Sequence, residues 1–259
     1  VDLSPRTLPR SVLLALWLRH APRTRSDLRR AVHAIEREDE PHVVEGYAPI
    51  PVGLEELLTG MVGLREVAAL LPVPGDLGVP PEVAGIAADA GECVVALGAD
   101  GGWAMVPEVV EFGSAADHGH TVTWRVLALP SGHRSLVGAF GTLADAQADL
   151  RATLQQAVRA LDDLDVARWR PEATAALSRL RAAPGLADVP PEIDHRALGT
   201  LLEAVRLIEI VHLATLDEGG SVNLWQADQR ATALREVGRA ARRAVTAATL
   251  AAGQPRTDR

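Results

Sequence analysis

Glu209 and His212, in the stretch EAVRLIEIVHLATL (203–216), have types and spacing that could do chemistry, standing three residues apart in an otherwise apolar run. A carboxylate and an imidazole one helical turn apart can act as an acid–base pair, or as the Glu-x-x-His ligand pair of di-iron helical bundles. At about 100° per residue, with Leu201 as zero, the apolar face of Leu198, Leu201, Val205, Ile208 and Leu216 centres near 20–40°. The same rotation puts His212 at about 20°, inside that face, and Glu209 at about 80°, at its edge. A di-iron site needs a second such pair and two more glutamates on neighbouring helices. Residues 142–165 hold five aspartates but neither Glu nor His, and the last helical segment has only Glu236. The second pair, Glu192 and His195 of EIDH, lies on the same helix, roughly 25 Å away. The structural reading is therefore favoured: Glu209 pairs with Arg235 or Arg239, His212 donates to a carbonyl or carboxylate, and no cofactor is expected.

His118 and His120 in ADHGHTV are two apart, which puts both on one side of a strand, with Asp117 adjacent and Glu108 and Glu111 on the strand before. Such a loop could take zinc or nickel, although Asp, His and Gly are also the ordinary residues of an exposed hairpin. His133 reads as a surface residue. In LLPVPGDLGVPPE (70–82) a strand runs into Pro and Gly and then a helix start, where the N–H groups of 82–84 could hold an anion and Asp76 a polar group. The loop lacks the Gly patterns of nucleotide sites, and bracing by its prolines explains it more simply. The candidate ligand-binding residues are thus Asp76, Glu209 and His212, in a site between sheet and bundle, and the candidate metal residues His118 and His120. There is no Gly-x-Ser-x-Gly and no Cys/His arrangement around Cys93, and all 26 basic residues are arginine. Schiff-base enzymes and lysine-dependent phosphate loops are excluded, and the arginine bias is that of a GC-rich bacterial genome.

The elements that must position these residues form an α+β chain. Apolar spacing predicts helices over about 9–20 and 26–38, the second carried by Leu28, Ala31, Val32 and Ile35. Strands are expected at 65–73, 92–98, 103–112 and 120–129, with a hairpin at GADGG and a short helix over 80–91, giving a mainly antiparallel sheet. From Thr142 the pattern is helical: a stripe from Leu143 to Leu164, a short helix in RPEATAALSRLRAAPG, a long helix over 191–216 and a last one over 224–251. The last helix carries Ala227, Ala231, Leu234, Gly238, Ala241, Val245 and Ala248 as a seam of small residues, expected to be covered within the same chain. The division is an α+β domain over 1–141, an Ala-rich helical bundle over 142–252 and a disordered tail over 253–259.

A composition of 47% hydrophobic and 23% charged residues is globular, and one cysteine, Cys93, excludes an internal disulfide. The apolar run at Val12–Leu18 is too short to span a bilayer and no cleavage site follows it, so a soluble, cytoplasmic protein without membrane partners is expected. Residues 41–141 carry three Arg against twelve acids, whereas 1–40 carry eight against six and 142–259 fifteen against sixteen. An acidic middle does not seek phosphate backbones. The expected function is a non-enzymatic protein-interaction or regulatory protein, with a protein partner or a second copy meeting the acidic middle and the Ala-rich last helix. The alternative is a small-molecule or metal-binding protein, an enzyme included, using the site near Asp76. Third comes DNA binding through residues 1–40, where a helix pair carries Arg23, Arg25, Arg29 and Arg30 but ends in EREDE, so nucleic acid is not the expected partner.

Overall fold

SVLLALWL is apolar on every side, and a helix without a polar face belongs inside. It forms α1 (Arg10–His20), with Val12 to Trp17 all at most 2% exposed. Pro9 offers α1 no side-chain cap; the carboxylate of the distant Glu92 takes the Ser11 N–H at 2.9 Å instead, an anion at a helix N-terminus. In α2 (Arg25–Glu36) the Thr24 hydroxyl caps the Asp27 N–H, and Leu28, Ala31, Ala34 and Ile35 form the one buried face. The computed structural model describes residues 8–22, 24–76, 78–114, 117–162, 186–216 and 224–253.

The sheet contains β1 (Val43–Glu45), β2 (Val52–Gly53), β3 (Glu66–Leu70), β4 (Cys93–Leu97), β5 (Gly102–Ser114) and β6 (Asp117–Leu129), in the order β2-β1-β6-β5-β4-β3. All neighbours are antiparallel except β1 and β6, which run parallel with Val44 beside Trp124. The sheet is therefore mixed, and the α+β class holds. Leaving β1, the chain crosses close over β6 at Gly46, where φ is +85° and a Cβ would stand 2.2 Å from the Val126 carbonyl oxygen. Only glycine fits both conditions. Two short helices lie on either side of β3, α3 (Leu54–Gly60) before it and α4 (Ala84–Ala90) after it, and α5 (Leu136–Phe140) follows β6.

The helical part comprises α6 (Leu143–Asp162), α7 (His195–Leu216) and α8 (Leu224–Ala251). Its last turns close the sheet: the outward N–H of Ala69 on edge strand β3 donates to the Thr249 hydroxyl of α8 at 3.0 Å. A helix thus covers an edge that would otherwise offer itself for pairing. One hydrophobic cluster takes in Leu13 and Leu16 of α1, Val94, Met105 and Trp124 of the sheet, and Leu150, Leu201 and Val245 of the three long helices. A second, on the opposite sheet face, gathers Val95, Val106 and Leu129 with Val83, Leu136 and Phe140.

Several expected bounds shift. The strand expected over 65–73 stops at Leu70, the helix over 80–91 contracts to 84–90, and β1, β2, α3 and α5 have no counterpart in the sequence reading. The small-residue seam of α8 is buried within the chain at Gly238, Ala241, Val245 and Ala248, while Ala227 is exposed. The short helix expected in RPEATAALSRLRAAPG and the tail beyond Gly253 lie outside the described residues.

Candidate functional site

The Glu209–His212 pair does not face one site. Glu209 is 8% exposed, whereas His212 is on the surface, the reverse of the rotation argument. The buried residues of α7 are Ala197, Thr200, Leu201, Ala204, Val205, Glu209 and Ala214, and four of them, Ala197, Leu201, Val205 and Glu209, form an i, i+4 ridge. Such a ridge is inclined to the helix axis and advances about 40° every four residues. By residue 209 the centre of burial has left the side on which His212 stands. Arg235 and Arg239, the expected partners of Glu209, bond within their own helix, to Thr232 and Glu236.

Asp76 is not brought to that pair either. It holds Arg242 of α8 in a two-pronged bridge, Nε at 3.0 Å and Nη2 at 3.2 Å, and accepts the Val73 N–H. The cavity beside it, about 400 Å³, is walled by Leu70, Leu71, Pro72, Gly75 and Val79, by α5 and by α8, and neither Glu209 nor His212 lines it.

Of the two histidines of ADHGHTV, the side chain of His118 lies outside the described residues. His120 turns towards Asp39, Nδ1 to Oδ1 at 3.4 Å, with Glu111 on its other nitrogen at 3.5 Å. Asp39 is the hub of a buried network. Arg10 grips it with Nε at 2.7 Å and Nη2 at 2.8 Å, and His42 Nε2 stands 3.2 Å away. The Trp124 indole N–H, which can only donate, reaches His42 Nδ1 at 3.1 Å, so the ring proton sits on Nε2 and points at Asp39. Burial pushes the Asp39 carboxyl up, but the hydrogen bonds from His42 and Arg10 and the Arg10 charge outweigh it and hold it far below the usual carboxylate range. A carboxylate held so low neither gives nor takes a proton near neutrality; it fixes α1, the end of α2 and β6 to one another. Among the described residues no group of three His, Cys, Asp or Glu side chains could hold a metal ion, and no helix is long and apolar enough to cross a membrane.

The feature that sequence reasoning missed is the outer half of the β5–β6 hairpin. The ladder runs unbroken from Gly102 opposite Leu129 to Ser114 opposite Asp117, but β4 covers only Gly102–Met105. From Glu108 to Ser114 every residue of β5 is exposed, with Val109 at 40%, Val110 at 53% and Phe112 at 46%. Pro107 has no N–H and yet sits inside the ladder opposite Trp124. It must therefore occupy a position whose N–H would point away from β6. The same parity turns the N–H and C=O of Val109 and Glu111 outward along β5, on an edge that no described strand pairs. The β6 side is partly closed, since the His120 carbonyl accepts the Glu40 N–H at 3.0 Å. On one face Phe112 lies over Gly119, where a Cβ would meet its ring at 2.7 Å. On that face too, a groove of about 660 Å³ runs between α4 and the hairpin, lined by apolar Ile86, Val106 and Leu127 and by Glu45, Asp89 and Glu108, with Arg125 bridging Glu45 and Glu108. The signal that could have found it is Pro107 within an otherwise β-rich run, followed by EVVEF, which lacks the alternation of a half-buried strand.

Residues 11–137 match the N-terminal domain of Rv1486c-like protein, and residues 144–246 match the C-terminal domain of Rv1486c-like protein. On the two matches together the chain belongs to the Rv1486c-like family. Neither description names an activity, a ligand or a partner. No curated protein and no solved structure matches the chain significantly.

Proposed function

We propose that this is a non-enzymatic interaction protein that receives an extended, basic segment of a partner protein on the open edge of β5. The observation that carries the reading is the outward backbone of Val109 and Glu111, on the outer half of a strand whose far edge no described strand pairs. Strand addition draws affinity from main-chain hydrogen bonds and specificity from pockets for alternate side chains, and the groove beside α4 offers such a pocket. Charge selects the partner. Three carboxylates and one guanidinium line the groove, Glu111 stands beyond it, and the whole of 41–141 is acidic. A second copy of this edge would bring its own Glu108 and Glu111 against these, which is unfavourable; a segment alternating apolar and basic residues complements both the groove and the edge.

The test is fluorescence anisotropy with two labelled decapeptides, one alternating Val and Arg, the other Val and Glu. The basic peptide is expected to bind saturably and the acidic one not at all. Val109→Pro removes one outward N–H without touching the ladder to β6, and should weaken binding at least tenfold with an unchanged circular dichroism spectrum. Equal affinity of the basic peptide for Val109→Pro, or no difference between the two peptides, would overturn the reading.

A further inference from the structure

The geometry points to a second site, independent of the hairpin: the cavity beside Asp76, we infer, binds a small organic anion that joins an oxyanion headgroup to an apolar body. Its volume of about 400 Å³ lies within the range of small-molecule pockets. One wall is apolar, with Leu71, Val79 and Phe140; the other is the face of α8 that presents Arg239, Arg242 and Arg243. Three like charges at i, i+3 and i+4 repel one another, and a local conflict of this kind is expected where function requires it. Within the wall a single carboxylate, Asp76, opposes three guanidinium groups, in a chain whose net charge is −8.

Asp76 engages only Nε and Nη2 of Arg242, two of the positions a guanidinium offers, and so orients that side chain at the cavity rather than using it up. Arg243 Nη1 is 3.7 Å from the Asp149 carboxylate, beyond hydrogen-bond distance, and its side chain is about half exposed. Arg239, also exposed, reaches Glu236 on its own helix. The planar donor forks of Arg239, Arg242 and Arg243 match a carboxylate or a phosphate equally well, while the aliphatic and aromatic wall takes the remainder of the molecule out of water.

The probes are octanoate, phenyl phosphate, inorganic phosphate and the neutral octanol, each titrated into the full chain by isothermal calorimetry. At least one of octanoate and phenyl phosphate is expected to bind saturably at one site, at least tenfold tighter than inorganic phosphate and octanol; which of the two binds tighter identifies the headgroup. The double variant Arg239→Gln, Arg243→Gln, at two exposed positions that bear on no core, should weaken that binding at least tenfold without moving the unfolding midpoint. The inference is overturned if neither amphiphilic anion saturates, if inorganic phosphate or octanol binds as tightly, or if the double variant binds as the parent does.

Discussion

Asp39→Asn tests whether the buried network ties the N-terminal helices to the sheet. The Asp39 side chain is 6% exposed and Arg10, which grips both its oxygens, only 10%, while His42 beside them is fully buried. Asparagine keeps the shape but removes the charge and replaces one acceptor by a donor, so that one prong of Arg10 faces an N–H in either orientation of the amide, and His42 does as well in one of them. Breaking a buried ion pair from one side costs about 3–5 kcal/mol, and for a chain of this size each kcal/mol lowers the melting temperature by about 2–4 °C. A fall of about 6–20 °C near pH 7 is expected. The pH dependence has a definite sign. Because the folded carboxyl titrates below its unfolded value of about 3.9, its stabilisation is complete above that value and is lost as pH falls through the folded one. The gap between parent and variant should therefore be widest near neutrality and narrow below about pH 4. Urea unfolding followed by tryptophan fluorescence, at pH 7 and pH 3, reads both, since Trp17 and Trp124 are buried. A cost under about 1 kcal/mol at pH 7, where exposed pairs fall, or an equal gap at both pH values, would refute the argument.

The Cys93 thiol, which burial with the neighbouring Glu92 charge pushes up to about 12, should resist a thiol-disulfide reagent at pH 8 in the folded protein and react at once in denaturant; rapid reaction in the native state would show the strand to be open. Thr249→Val strands the edge N–H of Ala69 in the core and should cost about 1–3 kcal/mol in urea unfolding, while Thr249→Ser should recover most of it. At Gly238 a Cβ would already touch Val211 at 3.4 Å and Arg242 at 3.3 Å, so Gly238→Leu should lose about 1–3 kcal/mol by overpacking and tend to aggregate. Light scattering that instead showed a folded dimer becoming a folded monomer would place α8 at a subunit interface.

Elements that declare themselves locally were legible in the sequence. α1, the strands around GADGG and the long C-terminal helices follow from apolar period and turn chemistry within each segment. What stayed hidden rests on contacts between distant residues. β1 is three residues long and pairs parallel with a strand some 80 positions away, a register no local pattern encodes. EREDE reads as a repulsive charged end to α2, but Asp39 within it turns inward because Arg10, 29 residues earlier, and His42 await it. Glu209 and His212 were placed by one rotation angle for the whole of α7, and the inclined ridge that actually packs cannot be seen without the neighbouring helix. Asp76 was read in its loop as able to bind a polar group of a ligand, whereas the group it holds in the structure is Arg242, 166 residues away in a helix read only for its small residues.

The proposed function turns on whether the outer edge of β5 takes up a strand, and amide exchange measured by NMR with and without the Val/Arg decapeptide tests that most directly. In the free protein the amides of Val110 and Phe112, which face β6, should be protected and those of Val109 and Glu111 should exchange quickly. With peptide at saturation, Val109 and Glu111 should gain at least tenfold protection while Val110 and Phe112 change little. Unchanged exchange at Val109 and Glu111 in the presence of the peptide, or protection of both already in the free protein, would contradict the account.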